Sequence, residues 1–252
     1  MDFKRIVPTL LLSGKRLVKG TSFNTFVDVG DPVSQSMIFD AQGADEIYLV
    51  DISASIGQRT IPSELIRQIN KKCRLPIAAG GGIKNVSDAL SLFEAGADKV
   101  VVNTNFFSNP KMIKGIADTV GSQAVNVSID VKKDTKGYQV YTHSGANLTG
   151  MSLKEAIDCA QFYGAGEITL TSIDREGSLR GFDIELYQIV EDSIKLPLIA
   201  SGGCGRYKDI VDLFENTKVD ACGIGKMLSL RDYDVVRIKS YIKGKHVVTR
   251  DA

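Results

Sequence analysis

Two glycine turns and a few carboxylates are the residues whose types and positions suit chemistry. Gly80-Gly81-Gly82 and Ser201-Gly202-Gly203 each follow a short apolar run, and turns lacking side chains let backbone N–H groups approach an anion. Each is a candidate phosphate cradle, completed by Asn103-Thr104 and by Gly223-Ile224-Gly225 after the next apolar runs. One such turn would suggest only a tight connection, whereas two matched turns point to a ligand with phosphate at both ends. The carboxylates are Asp51, Asp130, Asp174 and Glu176, at or just beyond the ends of apolar runs. A carboxylate there either transfers a proton or fixes a loop. Asp51 and Asp174 are balanced between these roles, and Asp130, ending a strongly apolar run, favours chemistry.

These residues need a scaffold of repeated strand and helix units. Short β-branched runs alternate with amphipathic stretches about a dozen residues long, the pattern of a parallel sheet wound with helices. Strands are expected at 6–11, 46–51, 76–79, 99–103, 124–130, 167–172, 197–200 and 220–224, with helices beginning near Pro32, Pro62, Val86, Pro110, Ser152, Asp183, Tyr207 and Arg231. Pro32, Pro62 and Pro110 sit where a first turn tolerates a missing N–H, and Asp183 is placed to cap. Eight such units in 252 residues fit a single (β/α)8 TIM barrel over 1–252.

An internal repeat sharpens this expectation. Leu75-Pro76-Ile77-Ala78-Ala79-Gly80-Gly81-Gly82 returns as Leu196-Pro197-Leu198-Ile199-Ala200-Ser201-Gly202-Gly203, and Gly43-Ala44-Asp45-Glu46 as Gly164-Ala165-Gly166-Glu167. Two similar half-barrels explain the match, and an open doubly wound sheet, the second-ranked architecture, does not. Allowing a two-residue gap, the repeat sets Asp130 opposite Leu11, so any acid and base pair drawn from both halves lacks one member.

At the other rim, strands begin with Arg5, Glu46, Lys99 and Glu167. Unpaired buried charge is strongly destabilising, so an alternating ring closing the barrel floor is expected. It serves as a stability plug or as a place where a small neutral molecule is admitted. The net charge of +1 gives no reason to expect a nucleic-acid or membrane surface. Cys73, Cys159, Cys204 and Cys222 have no metal spacing and read as reduced thiols, and no metal or organic cofactor is indicated. His143 and His246 have no partners for a triad, and for His143 a solvated loop is favoured over a contact at the rim. The segment 1–19, broken by Lys4, Arg5 and Lys15, shows no signal-peptide pattern, which suggests a cytoplasmic protein.

The chain as a whole resembles the cyclase subunit of imidazole glycerol phosphate synthase, a duplicated half-barrel of histidine biosynthesis. Its most specific stretches are Lys4-Arg5-Ile6, Val18-Lys19-Gly20, Gly30-Asp31-Pro32, Gly80-Gly81-Gly82-Ile83, Gly121-Ser122-Gln123-Ala124-Val125 and Leu170-Thr171-Ser172-Ile173-Asp174-Arg175. The resemblance implies a glutaminase partner docked on the N-terminal face of the barrel, with Asp98 at the contact. It implies ammonia passage through a gate of Arg5, Glu46, Lys99 and Glu167. It also implies phosphate binding by Gly82, Asn103, Thr104, Gly177, Ser201 and Gly203, under a loop carrying Lys19.

The departure lies at the chemistry. The resemblance implies two strand-end aspartates as general acid and base, and this sequence has Asp130 and Leu11. Leucine transfers no proton, and such groups typically contribute roughly 10²–10⁴-fold in rate. The favoured expectation is a barrel that relays ammonia toward sugar amidation through a separate sugar amidotransferase. The alternatives are an active cyclase with another residue recruited, or a non-catalytic phospholigand-binding regulator.

Overall fold

The computed structural model describes residues 3–251, so the ends of the expected 1–252 domain, Met1, Asp2 and Ala252, lie outside the described residues. The strands in chain order are β1 (Arg5–Ser13), β2 (Arg16–Thr21), β3 (Asn24–Gly30), β4 (Ile47–Asp51), β5 (Ile77–Gly80) and β6 (Lys99–Val102). They continue as β7 (Val125–Asp134), β8 (Gly137–Thr142), β9 (Asn147–Ser152), β10 (Glu167–Ser172), β11 (Leu198–Ser201) and β12 (Ala221–Ile224). The helices are α1 (Pro32–Ala41), α2 (Ser63–Asn70), α3 (Val86–Glu94), α4 (Thr104–Ser108) and α5 (Lys111–Val120). After them come α6 (Leu153–Phe162), α7 (Ile184–Val190), α8 (Tyr207–Asn216), α9 (Lys226–Leu230) and α10 (Val235–Lys243).

Eight strands run parallel and close in the order β1-β4-β5-β6-β7-β10-β11-β12, with β12 returning to β1. This is the expected (β/α)8 barrel. Strand alternation divides its core in two. Ile6, Leu10, Ile47, Leu49, Val127 and Ile168 pack outward against helices, while Val7, Tyr48, Ala78, Val101, Ile199 and Ala221 form a separate inner layer.

The half-barrel repeat survives in detail. An antiparallel hairpin follows the first strand of each half, β2–β3 after β1 and β8–β9 after β7. A five-residue helix follows the last strand of each half, α4 and α9. The residues before these helices share one backbone conformation, Asn103 at φ −121°, ψ −93° and Gly225 at φ −107°, ψ −88°.

Floor positions are bolted by aspartates. Asp45, Asp98 and Asp220 accept the N–H of Ile6, Ile77 and Leu198, the first residues or near-first residues of three barrel strands. Asp45 also pairs with buried Lys239 of α10 at 2.9 Å, tying the last helix to the first strand.

Three sequence expectations need correction. No helix starts at Arg231, which is extended (φ −133°, ψ 163°) and links α9 to α10; Asp234 caps the latter by accepting from Arg237 N. Asp183 precedes α7 without capping it, because its carboxylate accepts instead from Tyr138 Oη and Ser172 Oγ. The β2–β3 hairpin was not expected, since its turn passes through positive φ at Ser22, Phe23 and Thr25 rather than at glycine.

Candidate functional site

A cleft enclosing about 970 Å³, including its mouth, opens at the C-terminal rim of the barrel. Leu11, Asp51, Gly81, Gly82, Asn103, Thr104, Asp130, Glu176 and Ser201 all line it. Period-two alternation explains how the strand residues reach it, because Leu11, Asp130 and Ser201 fall on inward positions of β1, β7 and β11.

Asp130 is 8% exposed and accepts a hydrogen bond from Asn103 Nδ2 at 2.8 Å. Thr171 lies beside it in register on β10. Burial pushes its carboxyl up to about 7, opposed by Asn103 and Thr171 and reinforced by the charge of Glu176. Such a group both gives and takes a proton near neutrality. Leu11 enters the same cleft from β1 and offers only methyl groups.

The first glycine turn is built for close approach. Gly82, at φ +69°, faces the Arg59 carbonyl so closely that any Cβ would collide with it. Asp51, expected as a ligand or loop-fixing residue, does the second job in this structure. Its carboxylate accepts from Ser53 N at 3.0 Å, Ser53 Oγ at 2.8 Å and Arg59 Nη1 at 2.5 Å, holding the loop over the turn. The second turn is tied down in a similar way, with Ile61 N donating to Gly81 O in the first half and Gly181 N to Gly203 O in the second, one residue out of the repeat register. A Cβ on Gly81 would lie 2.6 Å from Asp51 O, and one on Gly202 2.7 Å from Ser172 O.

The two turns differ in access. Gly177, Gly202, Gly203 and Gly225 do not line the cleft, because the β2–β3 hairpin folds over their side of the rim. Lys19, 2% exposed, donates to Thr9 O at 2.5 Å and lies against Gly225. Ser22 N donates to Glu176 O, and Lys226 Nζ to Thr21 Oγ1, so the hairpin is tied to both neighbouring loops. Burial pulls the Lys19 ammonium down to about 8 against the opposing charge of Glu176, whose own carboxyl burial raises. Asp174 is exposed and accepts Lys133 N at 2.8 Å, so it fixes a loop outside the cleft. His143 is not in a free loop: its N–H donates to Thr104 Oγ1 at 3.3 Å at the rim.

At the floor the four charges form the expected ring. Arg5 pairs with Glu46 at 2.8 Å and with Glu167, and Lys99 pairs with each carboxylate at 2.9 Å. The carboxylates are 3% exposed. Burial raises the Glu46 carboxyl despite Lys99, whereas the charges of Arg5 and Lys99 overcome burial and hold Glu167 below its ordinary range. Asp98 is exposed at this end, one oxygen engaged by Ile77 N.

Phe23 and Phe26, the aromatic residues of the hairpin that line the cleft, and Arg59, which anchors Asp51, carry no signal in the sequence. The polar inward faces of β7 and β10, Asn126, Ser128, Thr169 and Thr171, do carry one, since they alternate with valine, isoleucine and leucine in the strand sequences. The four cysteines are free thiols. Among the described residues no cluster of three or more His, Cys, Asp or Glu is arranged around a metal position, and no helix is long and apolar enough to cross a membrane.

Fold and site together define a duplicated half-barrel whose cleft lies at the strand ends and whose floor is closed by charge. Comparison with known sequences gives the family directly: the chain belongs to the histidine biosynthesis protein family, matched over residues 5–234. It is 40% identical over 245 residues to imidazole glycerol phosphate synthase subunit HisF of Clostridium botulinum, covering 96% of this chain and 97% of that protein. It is 38% identical over 247 residues to the same subunit of Dehalococcoides mccartyi, covering 98% of both. The chain is thus a HisF-like barrel, similar to the cyclase subunit of that synthase.

Proposed function

We propose that the protein is a cyclase-like barrel that relays ammonia from a glutaminase to its C-terminal rim, for delivery to a separate sugar amidotransferase. The observation that carries this reading is the pairing of a complete charge ring at the floor with Leu11 opposite Asp130 at the rim. The glutaminase docks on the N-terminal face, where Asp98 is exposed, and glutamine hydrolysis there supplies neutral ammonia beneath the ring. A transient break in one of the four ion pairs admits it to the lumen. A phosphorylated small molecule sits at the rim, held at one end by the Gly81-Gly82 turn and the start of α4. Its other end takes the Ser201 to Gly203 turn and Gly225 once Lys19 and its hairpin lift. The assembly works in the cytoplasm and needs no metal or organic cofactor in this chain.

Asp130 alone lacks the partner that the acid and base pair requires, which argues against ordinary cyclase turnover. The decisive experiment supplies the purified chain with the family's phosphorylated ribonucleotide substrate and ammonium salt. Substrate consumption at the background rate supports the relay, and rapid formation of the imidazole product overturns it.

A second reading, an active cyclase, draws support from the Asp130 carboxyl at about 7, which serves as acid and base in turn, and from the overall identity of 40% to HisF. It requires turnover that Asp130→Asn abolishes and Leu11→Ala leaves in place.

A further inference from the structure

Among the described residues, three buried side-chain oxygens have no hydrogen-bond partner in the protein: Glu46 Oε1, Tyr48 Oη and Asn103 Oδ1. Buried polar atoms are almost always paired, so three orphans call for a common cause. All three face the barrel lumen, at its floor, middle and rim. Glu46 belongs to the charge ring, Tyr48 to the inner layer, and Asn103 bonds to Asp130 in the cleft. Two residues along a strand tilted by about 36° raise Tyr48 about 5 Å above Glu46 along the lumen.

The wall facing Tyr48 is polar at every level. Glu167 Oε2 accepts from Asn126 Nδ2 at 3.0 Å, and Asn126 Oδ1 accepts from Thr169 Oγ1 at 3.1 Å. Ser128 and Thr171 are the next inward residues on β7 and β10, below and beside Asp130. Tyr48 and Ser128 both line the base of the rim cleft, and Thr169 stands beside Ser128 in register on β10. The rest of this layer is Val7, Ala78, Val101, Ile199 and Ala221.

We propose that Tyr48, Ser128 and Thr169 form a binding station halfway up the lumen for a small neutral hydrogen-bonding molecule, which in the working complex is ammonia; the choice of ammonia rests on the relay reading. The donors and acceptors balance. The Tyr48 O–H donates to the nitrogen lone pair, and Ser128 Oγ accepts one of its hydrogens. Thr169 Oγ1, whose own proton is committed to Asn126, accepts another. No carboxylate stands at this height, Glu167 lying below and Asp130 above, so the station favours the neutral base over the ammonium ion. A wholly apolar lumen would strip the molecule of every hydrogen bond between gate and rim.

The probe is methylamine, soaked into crystals of the full chain at alkaline pH where the free base is populated, with sodium chloride soaks as control. The expected result is two-atom density at hydrogen-bond distance from Tyr48 Oη, absent in the control and absent from Tyr48→Phe crystals with an unchanged backbone. Single-atom density in every soak marks a water site only and overturns the proposal. So does methylamine density that persists in Tyr48→Phe. A second measurement separates the station from the relay: amidated product formed per glutamine hydrolysed by the complex with glutaminase and amidotransferase. A severalfold fall in this ratio for Tyr48→Phe, rescued by no change at the rim, supports the station. An unchanged ratio overturns the station while the relay stands. A wild-type complex that delivers no ammonia overturns the relay, and the methylamine density then decides the station by itself.

Discussion

Leu11 and Asp130 look into one cleft from β1 and β7, strands that stand opposite each other in the closed barrel order. Leu11→Asp puts a second carboxylate where the half-barrel repeat would have it. The variant is expected to gain ammonium-dependent turnover of the cyclase substrate, by about 10²–10⁴-fold over the parent chain. A variant that binds the substrate and stays inert would show that the block lies elsewhere.

The burial of Asp130 sets a pH dependence of stability. Its carboxyl is raised from 3.8 to about 7 in the folded chain, so the unfolded chain ionises first. Wild type therefore loses stability relative to an uncharged variant as pH rises between these values, and the two are alike below them. Asp130→Asn is expected to be more stable by a few kcal/mol at about pH 8, each unit of raised pKa counting about 1.4 kcal/mol. Urea denaturation across the pH range checks both the sign and the closing of the gap in acid.

The two carboxylates of the floor ring are not equivalent. Glu167 takes Arg5, Lys99 and Asn126, and its carboxyl is held low; Glu46 takes only the two cations, and its carboxyl is raised. Glu167→Gln is expected to destabilise by about 3–5 kcal/mol, the range for breaking one partner out of a buried pair. Glu46→Gln should lose clearly less, and the difference in denaturation midpoints measures it.

At the rim, Gly82→Ala should disturb both stability and ligand. The left-handed backbone and the Arg59 carbonyl leave no room for the methyl group. The loop carrying Arg59 must shift, which releases Asp51 from its ion pair with Arg59. The expected loss is about 1–3 kcal/mol, the usual strain of a non-glycine residue held in such a conformation. Inorganic phosphate binding, measured by calorimetry, should weaken alongside.

Much of this architecture is legible in the sequence. The eight barrel strands fall within a few residues of their expected places because Val, Ile and Leu runs bounded by Gly and Pro leave little freedom. The floor ring was legible because Arg5, Glu46, Lys99 and Glu167 open strands at one end of the barrel, where charge must find charge. The β2–β3 hairpin was not, since Ser22, Phe23 and Thr25 adopt positive φ without any glycine to announce it. The role of Asp174 also escaped, because whether a strand-end carboxylate turns inward or takes a neighbour's N–H depends on the loop around Lys133. Nothing in the run 46–51 sets Tyr48 apart, and only its orphan hydroxyl gives it away.

The three aspartates beneath the barrel, Asp45, Asp98 and Asp220, each fasten the start of a strand to the next element along. Their foundation is remote from the cleft. Alignment of the staves is thereby secured at one end, and the other end is left at liberty to change. Position 11 could therefore pass between aspartate and leucine without loosening the cylinder beneath, because what holds the staves in line lies at the end away from the cleft.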